Sequence, residues 1–337
     1  MPYDTRILGT SEAEITECAR LLKNGEVVGI TTETVYGLAG DAFNPSVIKK
    51  IFIAKGRPQD NPLIVHISDI GMLDELVYDI PKSAYLLAEK FWPGPLTMVF
   101  KKKDIIPYET SGGLTTVGIR MPSHEVARRI ISACGFPLAA PSANISGAPS
   151  PTTAKHVYSD LKGKIPAVVD GGACEVGVES TVICFQDDSI RVLRPGYISV
   201  DDLKTVASVI VDKGVTEKVS SDEKVMSPGM KYKHYSPKAD VTILDGSAES
   251  FASYVKDHYE EGTYCVVFDR EKKYIDIPCL CFGDTDEENA RLLFDRLREL
   301  DDLGAKKVYF QCPQKDGVGL AVYNRLLRAA GFEVIKI

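Results

Sequence analysis

The chain has 337 residues, 44% of them hydrophobic and 26% charged, which fits a globular protein with room for two domains and two cores. Its net charge is −7, and from Ala239 onward 19 acidic residues stand against 13 basic ones, so a general nucleic-acid binder held by charge alone is excluded. No run of eighteen apolar residues is present to cross a membrane, no apolar stretch follows Met1-Pro2-Tyr3-Asp4 to serve as a signal peptide, and eight scattered cysteines without a CxxC predict reduced thiols in a cytoplasmic protein rather than disulfides or structural zinc.

A helix is predicted over residues 11–23, then a strand from Glu26 to Thr32 that runs into Thr32-Glu33-Thr34-Val35-Tyr36-Gly37-Leu38. Asn44-Pro45 is a cap residue followed by proline at the first helical position, and Val47, Ile48, Ile51 and Phe52 fall on one helical face. That periodicity ends around Gly56, between Lys55 and Arg57; Pro58 and Pro62 bracket a polar turn, and Leu63-Ile64-Val65 reads as a strand ahead of His66. A helix around 81–91 is broken by Trp92-Pro93-Gly94-Pro95. Strands follow at 96–100 and 115–120, a helix at 124–134, and a short strand at 137–140 that leads into Pro141-Ser142-Ala143-Asn144-Ile145-Ser146-Gly147. A helix at 152–161, a strand at 167–169 and a hairpin of 180–185 with 190–193 come next. A last helix is predicted to carry Leu203, Val206 and Ile210 on one face. Strands and helices mix without strict alternation, which predicts a twisted mixed β-sheet with packed helices over residues 1–212.

Residues 213–238 read as a linker, although Tyr232, His234 and Tyr235 between prolines are unusual for a passive tether. Beyond it, strands at 241–244, 264–268, 307–310 and 333–337 alternate with amphipathic helices, so 239–337 is predicted to be a smaller Rossmann-like α/β domain. Gly317-Val318-Gly319 lacks the third glycine of a dinucleotide fingerprint, since Val322 stands there.

The chain has no GxxxxGK[ST] loop, HExxH, GxSxG elbow or kinase motif set. What remains is a group of polar residues at strand ends: Thr34, Lys55, Arg57, Asn61, His66, Thr116, Arg120, Ser142, Asn144, Ser180 and Arg194. Each has an ordinary explanation. Lys55 and Arg57 can offset a helix dipole, and Ser142 and Asn144 suit turns. As a set, cations, hydroxyls and amides at one sheet edge suit a ligand with phosphates and a carboxylate. With no nucleophile evident, catalysis by positioning and charge stabilisation is expected, as in nucleotidyl transfer.

Four stretches together, Thr32 to Leu38, Lys55-Gly56-Arg57-Pro58 with Asn61-Pro62-Leu63, Trp92 to Thr97, and Pro141 to Gly147, closely resemble the Sua5/YrdC family, the L-threonylcarbamoyladenylate synthases. Glu179-Ser180-Thr181-Val182, Arg194-Pro195-Gly196 and the segment from Pro228 to Pro237 fit as well, and the added domain resembles the longer Sua5 form. The resemblance implies that L-threonine, bicarbonate and ATP, with Mg²⁺ on the phosphates, give threonylcarbamoyl-AMP and pyrophosphate. That product would serve the t6A modification, at position 37, of tRNAs reading ANN codons, with other proteins making the transfer to tRNA. It further implies that Thr34, His66, Arg120, Ala140 (through its backbone) and Ser180 hold threonine. Lys55, Arg57, Asn61, Thr116, Ser142, Asn144, Ser150 and Arg194 would face ATP, with Lys55 and Arg57 as the catalytic cations near the phosphates. Residues 227–237 are expected to close over the pocket, with His234 or Tyr235 touching the nucleotide. Two rival readings stand beside this one: a nucleotide- or RNA-binding module without turnover, and another carbamoyl or acyl transferase on the same fold.

Overall fold

The computed structural model describes residues 3–187, 189–217 and 235–337, and His234 with the rest of 218–234 lies outside them. The helix that opens at Asn44 follows its local signals. The Asn44 side-chain oxygen accepts the N–H groups of Ser46 and Val47 at 3.0 and 3.4 Å, and the helix runs Pro45–Lys55. It ends at Gly56, whose φ of 61° is left-handed and strained for any side chain. Lys55 thus sits on the last turn and Arg57 just past it, where the chain bends towards the strand Ile64–His66.

The larger sheet has twelve strands, mixed in direction as expected. From one edge it runs Arg6–Leu8, Ala167–Val169, Val28–Ile30, Gly37–Asp41, Leu138–Ala139, Ile64–His66, Thr116–Arg120, Leu96–Lys102, Thr181–Gln186, Ser189–Arg194 and Ser208–Val211, with Val77–Tyr78 paired to Leu96–Lys102. Period-two alternation sends neighbouring side chains to opposite faces. Val168 joins the core with helices Pro45–Lys55, Lys82–Phe91 and Ala154–Leu161, while Ala167 and Val169 join the core with helices Glu12–Lys23 and Glu125–Cys134.

Two expectations change here. The predicted helix carrying Leu203, Val206 and Ile210 divides into the short helix Val200–Lys204, capped by Ser199, and the strand Ser208–Val211, which pairs in parallel with Ser189–Arg194. Ile210 is consequently exposed. The β-branched Val-Ile-Val run is stiff at χ1 and weak in a helix, and the free edge of Ser189–Arg194 offers it a ladder of backbone bonds. Gly37–Asp41 is likewise a strand, antiparallel to both Val28–Ile30 and Leu138–Ala139. Its glycines and alanine carry little strand propensity, and its neighbours impose the conformation.

The second sheet is parallel throughout, in the order Cys279–Cys281, Thr263–Val267, Lys307–Gln311, Asp240–Asp245 and Val334–Lys336, which agrees with the Rossmann-like reading. Its helices Asp286–Asp302 and Gly319–Ala329 pack against the first unit: Val35, Val176 and Val178 share a core with Leu293, Phe294 and Leu326. Gly177 (φ 79°) lets the backbones meet, since a Cβ there would come within 2.4 Å of the Arg291 Cα. Arg298 adds an ion pair to Asp160 at 2.8 Å and donates to the Pro149 carbonyl at 2.6 Å.

Candidate active site

The sheet register gathers the polar strand ends. His66 and Arg120 are register partners on parallel strands, and both are the last residues of their strands. Ser180 immediately precedes Thr181–Gln186, and Arg194 ends the strand antiparallel to it. Ser142 bridges to Gly37, which brings the loop after Leu138–Ala139 to the same edge. These ends surround a cavity, open to solvent at its mouth, whose wall includes Thr34, Arg57, His66, Arg120, Ala140, Ser142, Asn144, Ser180, Arg194 and Tyr235.

The guanidinium of Arg120 belongs to this wall and is 4% exposed. It is ion-paired to Glu33 at 2.7 Å and donates to Thr34 Oγ1 at 2.9 Å and to the Gly94 carbonyl at 3.2 Å. Both charges of the pair are out of water, so each needs the other as its counter-charge; Arg120 holds the Glu33 carboxyl below the usual carboxylate range in spite of its burial. The His66 Nδ1–H donates to the Ile64 carbonyl at 3.2 Å, which leaves the lone pair of the neutral ring on Nε2. Burial, then Arg120, pulls the His66 pKa down to about 3.

That shift has a measurable consequence. The unfolded chain takes up a proton near pH 6.5 that the folded ring refuses, so the stabilisation is complete above that value and is lost as pH falls towards 3. Between pH 8 and pH 5 the loss from this one group is about 2 kcal/mol. Denaturant titrations across that range are expected to show a shallower pH slope in His66→Gln than in the parent; equal slopes would mean that the ring is not neutral when folded.

In the same wall Arg57 presents a guanidinium whose buried Nε and Nη2 have no hydrogen-bond partner. Arg194 donates from Nε to the Ser180 carbonyl and from Nη2 to Ser180 Oγ, each at 3.2 Å, and burial lowers its pKa to about 10. Ser180 Oγ also meets Thr97 Oγ1 at 2.8 Å. Tyr235, where the described chain resumes, is buried in the cavity wall with its ring 5.2 Å from that of Phe294.

Lys55 has a different setting from Arg57. Its fully buried ammonium donates to the carbonyl of Asn144 at 2.7 Å, to that of Ser142, and to Asn144 Oδ1 at 3.4 Å. Asn144 Nδ2 closes the loop on the Ile145 and Ala148 carbonyls at 2.8 and 2.9 Å. Lys55 thus shapes the loop that presents Ser142 and Asn144 to the cavity. Its pKa is held well below the usual lysine value by burial and then by Arg57. Asn61 is buried with an unpartnered Nδ2, and extending the register of Ile64 with Gly118 by two residues sets Thr116 beside Pro62, a wall residue. Ser150 donates to Glu179 Oε1 at 2.6 Å, and Glu179 lines the cavity.

Sequence reasoning assigned no part to Glu33, Glu179 or Arg325. The carboxylates lie inside quoted motifs without any local mark of their partners. Arg325 did leave a signal: it occupies an apolar-face position between Val322, Leu326 and Ala329 on its helix, where a charge requires a buried partner.

Residues 20–196 match the family of Sua5, YciO and YrdC, described as "Telomere recombination", and residues 198–331 match the threonylcarbamoyl-AMP synthase C-terminal domain. The chain belongs to the Sua5/YrdC family. It is 44% identical to the threonylcarbamoyl-AMP synthase of Bacillus subtilis, over 98% of this chain and 96% of that one. Identity to the enzyme of that name from Pyrococcus abyssi is 41%, over 97% and 96% of the two chains. The crystal structure of P. abyssi Sua5 complexed with L-threonine superposes with a TM-score of 0.92 at 40% identity, covering 99% of this chain and all of that one. Both units of the fold are therefore those of a two-part Sua5/YrdC protein, and among the described residues no helix is long and apolar enough to cross a membrane.

Proposed function

We propose that the cavity makes L-threonylcarbamoyl-AMP from L-threonine, bicarbonate and ATP, releasing pyrophosphate. The observation that carries this reading is the presence of two unlike cations in one cavity wall: a guanidinium at Arg120 paired to Glu33, and one at Arg57 whose buried Nε and Nη2 have no partner. The first suits a small carboxylate and the second a polyphosphate. The likeness to the B. subtilis and P. abyssi synthases, and to a relative solved with L-threonine, supports this assignment.

In this reading Arg120 takes the threonine carboxylate, and Thr34 with the Nε2 lone pair of His66 receives the hydroxyl. Ala140 and Ser180 complete the threonine end. Valine, which leaves those polar groups unpaired, is rejected far more strongly than serine, which lacks only a methyl group. The neutral threonine amine bonds to the carbon of bicarbonate, a C–O bond of bicarbonate breaks, and that oxygen leaves as water with the proton the amine gives up, so that a carbamate remains. A carbamate oxygen then bonds to the α-phosphorus while the bond to the β-phosphate oxygen breaks, and pyrophosphate carries away the electron pair. Arg57 and Arg194 stabilise the charge that gathers on the leaving phosphates, while Ser142, Asn144, Asn61, Thr116 and Ser150 hold or support the nucleotide end.

Mg²⁺ would enter with the phosphates of ATP and offset their charge. The one carboxylate described in the wall, Glu179, is already bonded by Ser150 and Arg325, so the protein would supply cations there and water would complete the metal shell. Tyr235, in the cavity wall, would touch the nucleotide in this reading and help shield the unstable carbamate from water. The product would feed t6A formation on tRNA by separate transferase proteins, and eight free thiols suit a reducing cytoplasm. Incubation with radiolabelled bicarbonate, ATP and L-threonine should place the label in an adenylate. Label that stays in bicarbonate when all three are present would overturn the reaction.

A further inference from the structure

Arg325 comes from helix Gly319–Ala329 of the smaller unit, yet it is wholly buried and reaches Glu179, a residue in the wall of the cavity carried by the larger one. Its Nε donates to Glu179 Oε2 at 2.8 Å and its Nη2 to the Glu179 carbonyl at 3.3 Å. Its Nη1 donates to the Pro195 carbonyl and to Asn324 Oδ1, both at 2.8 Å. One planar group therefore bridges the residue before Ser180 and the residue after Arg194. These flank Ser180 and Arg194, two residues of the cavity wall that are bonded to each other, the second of which the proposed reading gives to the nucleotide.

The charge pattern adds a second consequence. A carboxylate in the wall of a polyanion site repels its ligand, and at short range in a dry pocket that repulsion is only weakly screened. Glu179 is such a carboxylate, and the guanidinium of Arg325 lies directly behind it. With Arg325 present, the pair is neutral and Arg57 and Arg194 act with their full charge. Without it, Glu179 would offset one of them.

We infer that Arg325 is a positioning residue for the nucleotide end of the cavity: it clamps Glu179-Ser180 to Pro195 and cancels the Glu179 charge that would oppose a polyphosphate. The inference rests on the reading that this end takes ATP. It gives the C-terminal domain a part in substrate binding that simple domain cohesion does not require. Arg298, paired across the same two units to Asp160, which is not a residue of that wall, provides the comparison.

The test uses the full chain. ATP binding is measured by calorimetry, and KM for ATP and L-threonine by pyrophosphate release, in the parent, R325M, R298M, E179Q and the E179Q/R325M pair, each with a thermal melt. R325M is expected to weaken ATP binding roughly tenfold or more, the scale of one unscreened charge at close range, and to change KM for L-threonine by less than about threefold. E179Q/R325M, in which the carboxylate is neutral, is expected to recover most of the ATP affinity, and E179Q alone to bind ATP more tightly than the parent. R298M is expected to melt earlier without selective loss of ATP affinity. Equal losses for ATP and threonine in R325M, or weaker ATP binding in E179Q than in the parent, would overturn the inference. The E179Q arm decides the matter even if R325M does not fold. A parent protein that binds no ATP would overturn the functional reading as well, which the other outcomes do not.

Discussion

Arg120→Leu is expected to abolish measurable saturation by L-threonine and to lower stability by about 3–5 kcal/mol, the cost of leaving one member of a buried ion pair alone. Both effects follow from the same contacts. Arg120 is the partner of Glu33 at 2.7 Å and holds Thr34 Oγ1 at 2.9 Å, so its removal strands a carboxylate and frees the Thr34 hydroxyl. The two effects can be separated in Glu33→Gln/Arg120→Leu, where no charge is left unpaired. That protein should regain most of the lost stability in denaturant titrations and still show KM for L-threonine raised by about 10²-fold or more, the scale on which a lost charged hydrogen bond acts. Threonine binding at the parental level in either variant would remove Arg120 from the site.

Arg57→Ala is expected to show the opposite pattern. The Nε and Nη2 of Arg57 are buried without a partner, so truncation forfeits few internal bonds and should change stability by no more than about 0.5 kcal/mol. Its charge faces the cavity, where a donor aimed at developing phosphate charge is worth about 10²–10³ in rate. Pyrophosphate release should therefore fall by that factor while the denaturant midpoint stays in place. A stable Arg57→Ala protein with undiminished turnover would show that the guanidinium is not used in the chemistry. Together the two variants distinguish a cation committed to the fold and to a substrate from one reserved for the substrate.

The parts of this architecture written in short-range signals were legible in the sequence. Asn44-Pro45 and Gly56 fix a helix by capping and by a left-handed stop, and those interactions span only a few residues. The alternation in the smaller unit predicted a parallel sheet, because buried strands and amphipathic helices each carry their own period. Gly37–Asp41 was not legible, since its conformation comes from the strands on either side rather than from its glycines and alanine. Ser208–Val211 was read with the wrong period: three apolar residues at helical spacing outweighed a β-branched run whose partner lies elsewhere in the sequence.

The site shows the same division. Strand-end cations and hydroxyls, together with the family motifs, brought Thr34, Arg57, His66, Arg120, Ser142, Ser180 and Arg194 to one cavity. The sequence did not separate Lys55 from Arg57, although one ammonium is bound to loop carbonyls and the other cation faces open space. That difference is set by the loop at 142–144, more than eighty residues away. Arg325 and Glu179, 146 positions apart, are joined only by the docking of the two units, and no local pattern encodes the distance between them.

The most direct test of the account is pyrophosphate release from ATP in the presence of bicarbonate and Mg²⁺, measured with and without L-threonine. Release that requires L-threonine, persists weakly with L-serine and is absent with L-valine is the predicted result. Release that is indifferent to the amino acid, or ATP binding without any pyrophosphate, would contradict the reading of one cavity with a threonine end and a nucleotide end.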